Sequence, residues 1–232
     1  MKFAFFYDSY RPYNGLISAL SEKNECIVWS DNKPIFDMLD ETTPDYCIYR
    51  EENQPDDIVR AKRTFKSTKF IELPNDYPKI AANVWNVPIV KVPTFDILIV
   101  GDLPDNIEYF APLLNSKWSV KIVGDQSYPV PEYLGRLDNG TYISLIDQTK
   151  IAIVFNEQSV YNLAARKCCV LSPVKTELFP SVENHIILAV ESLLNGKQRE
   201  KLAEKAYNKV MDGNTYHDRA DSFLRKYKIY EN

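Results

Sequence analysis

Ser159–Pro173 reads SVYNLAARKCCVLSP, a short helix with small residues on one face that runs straight into a buried strand. Before it, Lys150–Phe155 (KIAIVF) is an apolar strand, and Asn156 stands where a helix N-cap belongs. Strand, polar loop, helix and strand make a βαβ unit, and its loop lies at the carboxyl edge of a parallel sheet. Open α/β sheets bind their ligands along that edge. This stretch therefore sets both the fold class and the place to look for a site.

Towards the N-terminus the same alternation recurs. Lys2–Tyr7, Cys26–Trp29, Tyr46–Tyr49 and Lys69–Leu73 are short apolar strands, separated by helices over Leu16–Glu22, Pro34–Leu39 and Pro55–Lys66. Pro34 suits a first helical turn, where a missing N–H does no harm. The third helix carries acids first and bases later, as the helix dipole favours. Alternating strands and helices predict doubly wound parallel sheets. Between Pro74 and Thr94 the rhythm breaks: four prolines in about twenty residues make a crossover segment rather than a helix. We therefore expect two Rossmann-like domains, residues 1–94 and 95–232, with C-terminal helices crossing back to the first.

The second half opens with Asp96–Val100 running into Gly101-Asp102. After a helix over Asn106–Asn115 comes Ser119–Val123, running into Gly124-Asp125. Glycine at a strand end lets backbone approach closely, and aspartate caps a helix or bonds a ligand hydroxyl. These are candidate ligand contacts, although neither a G-x-G-x-x-G fingerprint nor a Walker loop is present. With Asn156 as cap, the first-turn N–H groups of Glu157, Gln158 and Ser159 face the sheet edge and favour an anion such as a diphosphate. Two amphipathic helices follow, Glu183–Leu194 and Lys197–Val210, the latter closed by Gly213, and a last helix begins after Asn214.

Composition narrows the function classes. The chain has 28 basic and 32 acidic residues, net charge −4, so its overall charge points to neither a nucleic-acid nor a membrane partner. The cluster over Arg60–Lys66, with tyrosines such as Tyr10 and Tyr13, would supply phosphate contacts and stacking to a nucleic acid, but a solvated helix face is the default reading of those charges. MKFAFFYDSY is too short for a signal peptide, and no apolar run approaches the ~18 residues of a membrane span. A cytoplasmic protein is expected. The four cysteines lack C-x-x-C spacing, and with two histidines they form no zinc pattern. Buried free thiols are the simplest reading, and no metal site is expected.

The C-terminal half resembles the nucleotide-sugar half of two-domain GT-B glycosyltransferases, nearest to the group-1 set that includes the spore-maturation (CgeB-like) proteins. Those carry R-x-F-E-A-x-A-C-G-x-x-x-L, then an acidic E-L-F loop, and a last helix beginning H-T-Y-x-x-R-A. Here the corresponding runs are Val160–Leu171, Glu177-Leu178-Phe179 and Asn214-Thr215-Tyr216-His217-Asp218-Arg219-Ala220. The family's ribose-binding glutamate falls on Asn162 and its helix-ending glycine on Lys167.

The resemblance implies a glycosyltransferase that takes a nucleotide sugar, UDP- or GDP-linked, as substrate and needs no other cofactor. The donor contacts would be Gly101, Asp102, Gly124, Asp125, Arg136, Asn156, Glu157, Ser159 and Asn162. Arg136 would meet the diphosphate with its guanidinium fork. Asn162 would bind the ribose diol through one oxygen and an NH2, with Glu157 as a substitute carboxylate. His217 and Arg219 would serve docking of the last helix. The acceptor base, needed to deprotonate a hydroxyl, would be Asp8, with Glu51 and Asp76 next. Without an Asp-x-Asp motif the mechanism would be metal-independent. The acceptor is open between a glycan, a protein, a small molecule and a modified DNA base. Two other readings stand beside this one: a glycosyltransferase-like binding or scaffold protein without turnover, and a Rossmann-type regulatory domain that binds a small molecule.

Overall fold

The computed structural model describes residues 1–6, 14–29, 34–50, 55–74, 81–85, 87–101, 111–125, 128–182, 186–194 and 196–229. The chain forms two compact units, Met1–Lys79 with Tyr216–Asn232, and Ile80–Thr215. Each is built on a four-stranded parallel sheet.

In the first unit, β1 (Lys2–Phe6), β2 (Glu25–Trp29), β3 (Tyr46–Arg50) and β4 (Lys69–Leu73) are ordered β2-β1-β3-β4. Alternation along β1 fills two cores. Phe3 and Phe5 pack with α1 (Asn14–Ser21) and with α9 (Tyr216–Lys226) at the far end of the chain. Ala4 and Phe6 pack with α2 (Ile35–Thr42) and α3 (Pro55–Thr64) on the other face. Helices on both faces explain why these strands read as nearly continuous apolar runs. Leu16, Ile17 and Leu20 form the buried stripe of α1. Gly15 lets α1 approach α9 closely: a Cβ there would lie 2.2 Å from the Tyr216 ring.

In the second unit, β5 (Phe95–Val100), β6 (Val120–Val123), β7 (Thr149–Val154) and β8 (Cys169–Leu171) repeat the pattern as β6-β5-β7-β8. The helices are α4 (Ala111–Leu114), α5 (Asn139–Asp147), α6 (Glu157–Ala164), α7 (Ile186–Leu194) and α8 (Lys197–Met211). One continuous core joins the sheet to α5, α6, α7 and α8. Isoleucine and valine dominate the central strands, where β-branched side chains suit a pleated surface covered on both faces.

One detail differs from the sequence reading. Residues 81–94, assigned to the first half, pack with the second unit instead. Backbone bonds hold them there: Val92 N to Asp147 O at 3.1 Å, Thr94 N to Gln148 O at 2.8 Å and Ala82 N to Asn214 O at 2.8 Å.

Lys167 marks the end of α6. Its φ is 53°, the left-handed conformation that glycine adopts most easily. Lys167 N donates to Ala164 O at 3.0 Å and Cys168 N to Leu163 O at 3.1 Å, a Schellman closure. The position needs the conformation, and lysine adopts it. Its ammonium pairs with Glu204 at 2.9 Å and lies 4.5 Å from the Tyr207 ring centroid.

Candidate functional site

The strand order reverses between β5 and β7, since the chain leaves β5 for β6 on one side and returns to β7 on the other. A crevice opens at the carboxyl ends of strands that flank such a reversal. Gly101 and Asn156 stand on its two sides. Gly101 follows β5 with φ 100°, and its N–H donates to Val123 O at 2.9 Å. A Cβ at Gly101 would lie 3.7 Å from Asn156 Nδ2. Asn156 is extended (φ −134°, ψ 149°), and its Oδ1 accepts from Ser159 N at 2.8 Å. The cap thus begins α6 at the crevice, where the helix dipole and the first-turn N–H groups suit an anion. Glu157 lies on that first turn and opposes any anion close by. Gly101, Asn156, Glu157 and Ser159 are therefore brought together.

The β6 end contributes a second group. Residues 132–134 pair alongside β6: Ile122 N donates to Glu132 O at 2.9 Å and Leu134 N to Ile122 O at 2.8 Å. Tyr133 Oη donates to Gly124 O at 2.8 Å. Gly135 then turns the chain with φ 74°, which brings Arg136 Nε to 3.9 Å from Asp125 Oδ1. The two side chains are 85% and 74% exposed, so this contact is weak in water and leaves the guanidinium donors accessible. Gly124, Asp125 and Arg136 thus share one loop cluster, next in sheet order to the crevice.

Asn162 is engaged differently. Its Oδ1 accepts from Asn83 N at 3.0 Å, Asn83 Nδ2 at 3.4 Å and Gln158 Nε2 at 3.0 Å. Gln158 Nε2 also donates to Ala81 O at 2.6 Å. One turn on, Arg166 Nη1 donates to Val87 O at 2.6 Å and Nη2 to Pro88 O at 3.0 Å. Gln158, Asn162 and Arg166 are spaced by four, so they form one polar stripe that grips residues 81–88. That segment lies outside both sheets, and side chains supply the partners a neighbouring strand would give.

Arg166 is the residue the sequence reading missed. It is 2% exposed and ion-pairs with Asp147 through Nη2, with Nε 3.3 Å from Asp147 Oδ1. Lys91 Nζ approaches the same carboxylate at 3.6 Å, and Val90 N donates to it at 3.3 Å. The polar-every-fourth pattern Gln158, Asn162, Arg166, running along α6 and into the turn that follows it, was the available signal.

Asp8, Glu51, Asp76 and Asp102 lie outside the described residues. Among the described residues no group of three or more His, Cys, Asp or Glu is placed to hold a metal ion. Burial raises the Cys168 thiol and pushes Cys169 up to about 12, so neither is a thiolate nucleophile near neutrality. His217 Nε2 lies 2.9 Å from Glu22 Oε1, joining α9 to the turn that follows α1 in the first unit. No described helix is long and apolar enough to cross a membrane.

No family model matches the sequence, and no curated protein does. Solved structures do match in fold. A UDP-GlcNAc 2-epimerase from Neisseria meningitidis, bound to UDP-GlcNAc, aligns with TM-score 0.59 at 11% identity, covering 99% of this chain and 100% of that one. A calicheamicin glycosyltransferase aligns at 0.57 and 9% identity, covering 100% of each chain. A glycosyltransferase from Streptomyces sp. SF2575, complexed with thymidine diphosphate, aligns at 0.53 and 9%, covering 97% of this chain and 99% of that one. The chain has the two-Rossmann-unit α/β fold of GT-B glycosyltransferases, shared with UDP-GlcNAc 2-epimerases. At these identities the likeness is one of fold.

Proposed function

We propose that the protein is a nucleotide-sugar-dependent glycosyltransferase, of the CgeB-like kind its C-terminal motifs resemble. The observation that carries this is the strand-order reversal between β5 and β7, with positive-φ Gly101 after β5 and Asn156 capping the start of α6 beside it. The donor's diphosphate lies at the first turn of α6, with Arg136 as the mobile-armed cation from the β6 loop and Gly124 and Asp125 beside it. Glu157 accepts from a ribose hydroxyl. Asn162 is a poor diol acceptor while its oxygen serves three donors of its own chain. Asp102 completes the donor set. The acceptor hydroxyl loses its proton to a carboxylate, Asp8 first, then Glu51 or Asp76, and the leaving diphosphate is stabilised by the helix start and Arg136 without a metal. Asp8 and Glu51 follow β1 and β3, the two strands that flank the order reversal of the first sheet. The protein works in the cytoplasm.

A second reading, binding without turnover, is favoured by the engagement of Asn162. Fold likeness to a UDP-GlcNAc 2-epimerase raises a third, epimerisation of the donor sugar.

Thermal shift against UDP, GDP, ADP, CMP and TDP and their common sugar conjugates tests the donor site. Ligand at 100 times its Kd adds about 2.7 kcal/mol of stability. A selective shift with one nucleotide diphosphate, weakened by Arg136→Ala and by Asn156→Ala, supports the site, and no shift with any of them sinks it. Incubation with the stabilising sugar nucleotide separates the rest. Free nucleotide diphosphate that requires an acceptor means transfer, an isomerised sugar nucleotide means epimerisation, and unchanged donor means binding alone. Asp8→Asn should abolish transfer with donor affinity intact.

A further inference from the structure

The chain passes between its two units twice, at 79/80 and at 215/216. We propose that Gln158 and Asn162 form one amide clamp that fixes both passages to α6. The clamp involves no ligand and is independent of the proposed function.

Just inside the second unit, the first passage brings in Ala81, Ala82 and Asn83, and the second leaves through Asn214 and Thr215. The two run parallel and meet at a single bridge, Ala82 with Thr215, where Ala82 N donates to Asn214 O at 2.8 Å. Ala81 and Ala82 are fully buried and Thr215 is 4% exposed. One bridge is less than the two or three paired residues of even a short strand. The residues on either side of Ala82 are tied down by the clamp: Ala81 O accepts from Gln158 Nε2, and Asn83 N and Nδ2 donate to Asn162 Oδ1. Gln158 Nε2 also bonds Asn162 Oδ1 at 3.0 Å, which makes the two amides one unit. On the far side Asn214 is anchored to α8, N to Val210 O and Nδ2 to Lys209 O, both at 3.0 Å. The connection therefore runs from α6 through residues 81–83 to residues 214–215 and into the end of α8. Asn162 is its junction because three donors converge on one oxygen.

That arrangement also fixes the Asn162 amide's orientation, since a flipped amide would set an NH2 group against three donors. A carboxylate in the same place accepts the same three bonds, whereas alanine accepts none. The two substitutions therefore separate the clamp from simple packing.

Amide hydrogen exchange on the full chain is the test. Asn162→Ala should speed exchange in peptides spanning 81–85, and also in those spanning 212–218, each by roughly five- to tenfold. Exchange in β5 and β7 should stay unchanged. Asn162→Asp should restore wild-type protection in both regions. Gln158→Met removes two of the bonds at nearly constant volume, and should speed both regions by about two- to fivefold. It carries the test if Asn162→Ala does not fold. Faster exchange confined to 81–85, with 212–218 as protected as in the wild type, overturns the proposal. So does an Asn162→Asp protein that behaves like Asn162→Ala.

Discussion

Arg166→Met removes the most completely buried cation of the second unit, and its cost follows from what it leaves behind. Arg166 makes four hydrogen bonds, two to Asp147 and one each to Val87 O and Pro88 O. The two carbonyls belong to exposed residues, so water can replace the guanidinium there. Asp147 is the costly survivor, because its side chain is 11% exposed. Breaking a buried ion pair by removing one partner typically costs about 3–5 kcal/mol. Lys91 remains 3.6 Å from the carboxylate and Val90 N still donates to it, which places the expected loss near the lower end, about 3 kcal/mol. Urea unfolding read by amide exchange in β7 reports this unit separately from the first. With a slope of about 2 kcal/mol per molar, the midpoint should fall by roughly 1.5 M. The paired substitution Arg166→Met with Asp147→Leu leaves no buried charge and should recover at least half of that loss, since an apolar replacement of a buried pair is often neutral. A single-variant shift below about 0.5 M would refute the reasoning, and so would a double variant less stable than the single.

Gly15→Ala should destabilise the first unit by about 1–3 kcal/mol, because the new methyl meets the buried Tyr216 ring at 2.2 Å, although alanine is ordinarily the better helix former. Equal or higher stability in thermal unfolding would show that the ring yields. At the amino ends of the second sheet, burial raises the Asp96 carboxyl, but hydrogen bonds from Lys150 and Ser119 outweigh that and hold it below the ordinary 3.8. Its contribution is therefore complete above the unfolded value and lost as pH falls through the lower folded one. Asp96→Asn should flatten the acid-side decline of stability in that window and lower stability at pH 7. A decline as steep as the wild type's would place the sensitivity elsewhere. Cys47 and Cys169 are pushed by burial up to about 12, so a thiol reagent at pH 8 should modify neither until the protein is unfolded. Rapid labelling of either in the native protein would contradict their burial.

Much of the fold was legible because its period is simple. Buried parallel strands are short apolar runs such as FDILIV and KIAIVF, and helices between them leave few alternatives. The Asn156 cap was legible for the same reason, since it rests on one side chain and the N–H three residues on. The boundary near residue 94 was misplaced because proline content marks where regular structure stops, and not which core the irregular chain joins. That choice is made by Gln158, Asn162 and Arg166, some 75 residues away in sequence, and no local pattern in 74–94 announces it. Asn162 illustrates the limit most sharply. Alignment with a motif gave it a ligand, whereas the structure gives it a segment of its own chain.

That engagement constrains how a nucleotide can be held. An amide oxygen has two lone pairs, and the oxygen of Asn162 already faces three N–H donors. A ribose hydroxyl could bond it only by displacing Asn83, which would loosen the segment that also holds Ala82 against Asn214. Recognition through the α6 start, Glu157 and Arg136 needs no such exchange, because Arg136 has a 3.9 Å contact with Asp125 to release among the described residues. The two routes have opposite signatures at one place. Displacement makes the amides of residues 82–83 exchange faster when nucleotide binds, and the helix-start route leaves them as they are or slower. For the proposed donor the second route leaves the clamp intact and needs one weak exposed ion pair broken, which makes it the cheaper of the two at this clamp.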